Sequence, residues 1–184
     1  MTDDAERTYS GVLGAFPYAL RTSDSRLFRS YAVVGGLLAG LLTFYFAAAL
    51  TVQVANTLAG PGGVFTFSRA LYVFVGLLVV APILGPVLFV ARRHRRVGSD
   101  TGYDRQMAVL GYLFLLSVYL AVVISMPAEF TLDGETVTRP APSGLFAPVV
   151  ALLYAMPPIT SPLPPLLVTV AMVLADRRRN PEGA

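Results

Sequence analysis

Residues able to do chemistry are few in this chain, and they are scattered. The single histidine, His94, sits inside the run Arg92-Arg93-His94-Arg95-Arg96. An imidazole serves a metal when acids or other ligands cluster with it, and serves nucleophilic catalysis when a hydroxyl and a carboxylate stand beside it. No acid is contiguous with His94, no serine is flanked by a base, and HExxH is absent, so neither chemistry is expected. The chain has no cysteine, which removes disulfides, thiolate metal sites and lipidation at Cys. Glu129, Asp133 and Glu135 could hold a cation loosely, but a solvated loop explains them. The expectation is a chain with no enzymatic activity, no cofactor and no metal.

Solute passage is the other chemistry to weigh. Pro157, Pro158 and Pro162, with Thr160 and Ser161 among them, interrupt one apolar stretch, and Pro82 and Pro86, with Gly85 between them, bend another. A proline removes a backbone donor and crowds the carbonyl four residues earlier. In a membrane the freed carbonyls need partners from neighbouring helices, hydroxyls or water. Broken helices are how many transporters build a site at the midplane. These eight positions therefore form a candidate hinge or pocket, with a fixed kink for packing as the plainer reading. Polar groups such as Thr43, Gln53, Ser117, Thr169 and Tyr112 more often join membrane helices by hydrogen bonds than line a path.

The elements that must carry these residues are apolar and long. Tyr31 to Asn56, Ala70 to Ala91, Met107 to Met126 and Leu145 to Ala175 contain no Asp, Glu, Lys, Arg or His. Each meets the length of roughly 20 residues that crosses about 30 Å of hydrocarbon at 1.5 Å per residue. The chain is 184 residues, 55% hydrophobic, with mean hydropathy +0.64, and what lies outside the stretches is too short for a second folded core. The organisation expected is a tail over 1–30, a membrane domain over 31–175 with spans at about 31–56, 70–91, 107–126 and a broken 145–175, and a second tail over 176–184. Ionisable groups at membrane depth, the marker of pumps and intramembrane catalysis, are missing.

All 14 basic residues are arginine. Twelve lie in the first tail, the second connection and the last tail, among them Arg92, Arg93, Arg95, Arg96, Arg177, Arg178 and Arg179; only Arg69 and Arg139 lie in the other two connections. That alternation is a positive-inside signal placing both termini in the cytoplasm of a multi-pass plasma-membrane protein, with these arginines as membrane anchors. The Arg92 to Arg96 run could also draw anionic lipid. Nucleic acid is not expected, because the formal charge of +3 is concentrated beside the spans.

Local signals complete the reading. Tyr9 to Leu20 suits a short interfacial helix interrupted by Pro17, and Ser23-Asp24-Ser25 suits the cap of a helix starting near Arg26. Thr57 to Arg69 reads as a tight Gly-rich turn. Glu129 to Arg139 reads as a hairpin about Asp133-Gly134, pairing Phe130 with Val137 and Thr131 with Thr136. For the fourth stretch two solutions stand: a half-inserted helix over Leu145 to Met156 followed by a helix from about Pro164, or one span from near Pro158 with prolines in its first turn. Ala32, Gly36 and Gly40 recur every four residues, a small-residue ridge that permits close helix approach, either within the chain or to a second copy.

The stretch Phe16 to Gly40, FPYALRTSDSRLFRSYAVVGGLLAG, resembles the start of small multi-pass membrane proteins of unknown function from halophilic archaea. The arginine-only, cysteine-free composition agrees with such a source. The resemblance implies topology and carries no activity with it. The fold expected is thus an all-α membrane protein, a four-transmembrane-helix bundle whose fourth segment is broken by prolines, with an interfacial helix at the N-terminal side. Its expected role is a non-enzymatic scaffold or accessory subunit acting through helix packing. Its partners would be the lipid bilayer and either another membrane protein or a second copy. A small transporter or channel subunit with its site at the broken segment is the alternative.

Overall fold

The computed structural model describes residues 11–57, 62–132 and 134–179. The helices run past the apolar stretches because their flanks carry start and stop signals of their own. Helix α1 (Gly11–Thr22) is followed after three residues by α2 (Arg26–Thr57). Ser25 caps α2, its Oγ accepting the Phe28 N–H at 3.3 Å, which satisfies one of the donors every helix start leaves open. Helix α3 (Gly62–Arg96) stops just before Gly98, whose φ of 105° is the left-handed conformation that ends helices. Asp100 then caps α4 (Thr101–Ser125), its Oδ1 accepting from Gly102 N at 3.0 Å and Tyr103 N at 3.1 Å. Strands β1 (Glu129–Leu132) and β2 (Glu135–Thr138), helix α5 (Ala147–Ala155), a 3-10 turn (Pro158–Thr160) and α6 (Leu163–Arg179) complete the order. Four segments, Arg26–Asn56, Arg69–Arg96, Thr101–Ser125 and Pro158–Arg179, are long and apolar enough to cross a membrane.

Two local expectations are corrected. Pro17 does not interrupt α1; it is exposed, and the carbonyl it leaves unbonded belongs to Leu13, which is 88% exposed and so stands on the outer side of the helix. The connection expected over Thr57 to Arg69 is mostly helix, since α3 starts at Gly62; its residues 58–61 lie outside the described residues. Pro82 and Pro86, expected to bend the second span, both sit inside α3, which continues through them. The fourth stretch draws on both solutions: a short α5, a non-helical link, and α6 with Pro164 and Pro165 in its first turn, where missing donors cost little. The hairpin forms in the expected register, Phe130 opposite Val137 and Thr131 opposite Thr136, with Gly134 at φ 87°; Asp133 lies outside the described residues.

The described residues divide into two compact units. The first comprises α1, α2, α3, α4 as far as Tyr112 and α6 from Met172. Helix α1 packs on α2 and α3, burying Ala15 and Ala19. The pivot of this unit is Tyr31. Its ring is wholly buried and its hydroxyl donates to the Ile83 carbonyl at 2.7 Å. Ile83 lies in the turn between Pro82 and Pro86, next to the Pro82 carbonyl that Pro86 deprives of a backbone donor. Gly111 admits the ring: a Cβ built there would overlap it. Tyr112 adds an edge-to-face contact at 5.3 Å, and its hydroxyl lies 2.9 Å from Ser30 Oγ.

The second unit runs from Leu113 to Ala171. Arg139 organises it, donating to the Met126 carbonyl at 3.0 Å and the Tyr154 carbonyl at 3.4 Å while its guanidinium lies 4.0 Å from the Tyr154 ring centroid. One side chain thus ties the hairpin to the end of α4 and to α5, which supplies the support a two-stranded hairpin lacks alone.

The seating of Tyr31 makes a graded prediction. Tyr31→Phe should lower stability by about 1 kcal/mol, the scale of one buried hydrogen bond. Gly111→Leu should cost more, because the ring has nowhere to go. Thermal unfolding of the detergent-solubilised protein measures both, and equal losses would contradict this geometry.

Candidate functional site

The buried polar side chains of the first unit gather where α1 ends, α2 starts, α3 ends and α4 starts. His94 Nε2 lies 2.9 Å from Asp104 Oδ1, and His94 Nδ1 lies 2.9 Å from Thr22 Oγ1. The other carboxylate oxygen, Asp104 Oδ2, accepts from Ser23 Oγ at 2.5 Å. The His94 and Asp104 side chains are only 2% and 1% exposed. Ser23 is held in turn: its Oγ accepts from Ser25 N at 3.2 Å and its carbonyl from Arg29 Nε at 2.8 Å. His94, which has no acid contiguous with it in the sequence, thus has one beside it in the fold. Asp104 is ten residues away in sequence, and the turn at Gly98 brings α4 back alongside the end of α3.

A second network adjoins the first in sequence. Asp100 Oδ2 accepts from Arg93 Nη2 at 3.2 Å and Arg179 Nη1 at 3.3 Å. Tyr103, fully buried, donates its hydroxyl to Asp176 Oδ1 at 2.5 Å and carries the Arg93 guanidinium 4.7 Å from its ring centroid. Arg93 Nη1 also donates to the Arg179 carbonyl at 2.9 Å. The ends of α3 and α6 and the start of α4 are joined by these contacts.

The other residues singled out from the sequence are placed as follows. Ala32 is buried within the chain; Gly36 faces Phe16 of α1, where an added Cβ would lie 2.9 Å from the ring; Gly40 is exposed, with nothing near an added Cβ. Pro82, Gly85 and Pro86 belong to the α3 segment that Tyr31 abuts. Pro157, Pro158, Thr160, Ser161 and Pro162 lie in the second unit, and their hydrogen bonds are local: Thr160 Oγ1 donates to the Pro157 carbonyl at 2.7 Å and Ser161 N to the Pro158 carbonyl at 3.0 Å. Arg92, Arg95, Arg96, Arg177 and Arg178 are exposed. Glu129 and Glu135 stand at opposite ends of the two-stranded ladder. Among the described residues no group of three or more His, Cys, Asp or Glu could hold a metal ion. A groove of about 530 Å³ is lined by Phe46, Gln53, Leu71, Tyr72 and Val75, an apolar lining with one amide and one phenol and no carboxylate or imidazole.

Domain of unknown function (DUF8056) matches residues 1–180. The chain belongs to that family. No curated protein and no solved structure matches it. The family description assigns no activity, so the chemistry of this member must come from its own geometry.

Hydroxyl, imidazole and carboxylate in series are the parts of a nucleophilic site, but the way they are joined here favours a structural use. The Thr22 hydroxyl can also donate to the Tyr18 carbonyl at 2.9 Å, the carboxylate is shared between His94 and Ser23, and the imidazole is enclosed. Each group has its partner inside the network, the condition under which buried polar side chains are tolerated. Their signal in the sequence was Asp100 and Asp104 standing among the arginines of one connection.

Asp100 lies outside the apolar spans. Its carboxyl is held below the ordinary value of 3.8, first by the Tyr103 backbone N–H and also by the Arg93 and Arg179 charges and the Gly102 N–H. A lowered carboxyl contributes stability that is complete above its ordinary value and is lost as pH falls through the lowered one. Acidification below 3.8 should therefore loosen the start of α4 in the native chain and have less effect in Asp100→Asn, read by amide hydrogen exchange at Gly102 and Tyr103. Asp104→Ala should destabilise the protein by about 2–3 kcal/mol, since it leaves Ser23 and His94 buried without their acceptor. Faster proteolysis between Arg21 and Arg26 would accompany that loss; an unchanged cleavage rate and melting temperature would contradict the role given to Asp104.

Proposed function

We propose that this chain is an integral membrane protein of the cell membrane, with its arginine-bearing helix ends in the cytoplasm, serving as a non-enzymatic scaffold or accessory subunit. The observation that carries this reading is the enclosed Thr22-His94-Asp104-Ser23 network. It joins helix ends to one another and commits the most reactive side chains of the chain to holding shape. The four long apolar helices support membrane insertion, and the bias of arginine to alternate connections supports the orientation. Arginine without lysine supports a halophilic or GC-rich prokaryotic source.

A scaffold needs a face for its partner. Gly40, with Leu37, Leu41 and Phe44 exposed about it, offers a place where a second helix can approach the α2 backbone, and close approach is what drives association in lipid. Gly36, half-buried against the Phe16 ring of α1, is already used inside the chain. The alternative role in transport gains no support from the break at Pro157 to Pro162, where Thr160 bonds its own turn.

Paired substitutions test the reading. Gly40→Leu should lower the detergent-solubilised mass or dissolve a native-membrane cross-link while leaving α1 protected from protease. Gly36→Leu should instead expose α1. If Gly40→Leu leaves every assembly intact, and single cysteines placed from Pro157 to Pro162 react with a membrane-impermeant thiol reagent deep in the span, scaffolding fails and a water-filled path takes its place.

A further inference from the structure

Three acids at the arginine-rich end of the first unit are engaged by other side chains, while Asp24, between α1 and α2, is exposed. Asp100 engages Arg93 and Arg179, Asp104 is enclosed by His94 and Ser23, and Asp176 takes the Tyr103 hydroxyl. Arg92 and Arg96 at the end of α3, Arg105 at the start of α4, and Arg177 and Arg178 at the end of α6 are exposed. The same contacts that engage the acids tie these three helix ends together, so the five guanidinium groups are presented on a fixed frame rather than on loose tails. The result is a basic surface on the ends of α3, α4 and α6 beside which Asp100, Asp104 and Asp176 are already occupied.

Position and chemistry select the occupant. Arg92 directly follows the apolar stretch ending at Ala91, Arg105 stands two residues before Met107, and Arg177 two after Ala175. All five therefore sit within five residues of apolar sequence, about one and a half helical turns, which is headgroup depth for helices that cross a bilayer. A guanidinium presents a planar fork of donors that matches two phosphate oxygens, a geometry an ammonium lacks, and every basic residue here is arginine. We propose that this surface binds the phosphates of anionic phospholipids in the leaflet from which α3, α4 and α6 emerge. The proposal rests on the membrane reading of the chain and is independent of the scaffold role. Contact pairs at hydrogen-bond distance lie within even the ~3 Å Debye length of molar salt, so the interaction is direct pairing rather than diffuse attraction.

The test uses the full chain reconstituted into nanodiscs of mixed phosphatidylcholine and phosphatidylglycerol, with the lipids retained on it quantified by native mass spectrometry. The native chain should retain phosphatidylglycerol in excess of its share. Arg92→Gln/Arg96→Gln and Arg177→Gln/Arg178→Gln should each reduce that excess, by about fivefold per arginine removed at low ionic strength, with helical content unchanged. Equal retention of both lipids by the native chain, or an excess that survives all four substitutions, overturns the proposal. So does an unchanged lipid profile combined with loss of an acidic protein partner on the same substitutions. Failure to enter any bilayer would instead remove the membrane reading on which the proposal rests.

Discussion

A carboxylate withdrawn from water must find donors, and in this protein Asp104 finds them on two other parts of the chain. Its side chain is 1% exposed, so no solvent makes up for a missing partner, and the cost of an unpaired buried charge is among the largest single terms in stability. Ser23 from the turn before α2 and His94 from the end of α3 are held to it by that requirement. The cap at Ser25, the bend at Gly98 and the second cap at Asp100 are the local devices that bring the three segments within reach. The outer network of Arg93, Asp100, Tyr103, Asp176 and Arg179 extends the same logic to α6.

Much of the fold was legible because the signals behind it are local. Runs of apolar residues longer than a helix needs to cross hydrocarbon announce themselves by length alone. Asp133-Gly134 between two short β-branched runs dictated a register in which Phe130 meets Val137, and the structure has that register. The fourth stretch had to break because six prolines stand in it. The site was less legible. No periodicity connects Ser23 to Asp104, which are 81 positions apart. In the connection from Arg92 to Arg105, Asp100 draws Arg93 inward and Asp104 holds His94, pairings that the density of arginine there hides.

Proline misled in one place and informed in another. Pro17 looked like a break, yet α1 continues through it because the carbonyl left unbonded belongs to the exposed Leu13 side of the helix. Pro86 lies in the interior, where the helix cannot turn to water, and there the Tyr31 hydroxyl reaches the adjacent Ile83 carbonyl. Gly111, which has no side chain to resist the ring, is the other half of that arrangement. A single tyrosine thus relates three helices at the level where α3 is weakest.

The order in which the ribosome makes these residues adds a temporal aspect to the inner network. Thr22 and Ser23 emerge first, His94 some seventy residues later, and Asp104 last. Until the first turn of α4 is out, the imidazole and the two hydroxyls have no carboxylate to close upon, and they must stay hydrated. The clasp can shut only when the third long helix has begun, so the segments before it remain free to correct their placement until that moment, and their arrangement is sealed by a residue that arrives after them.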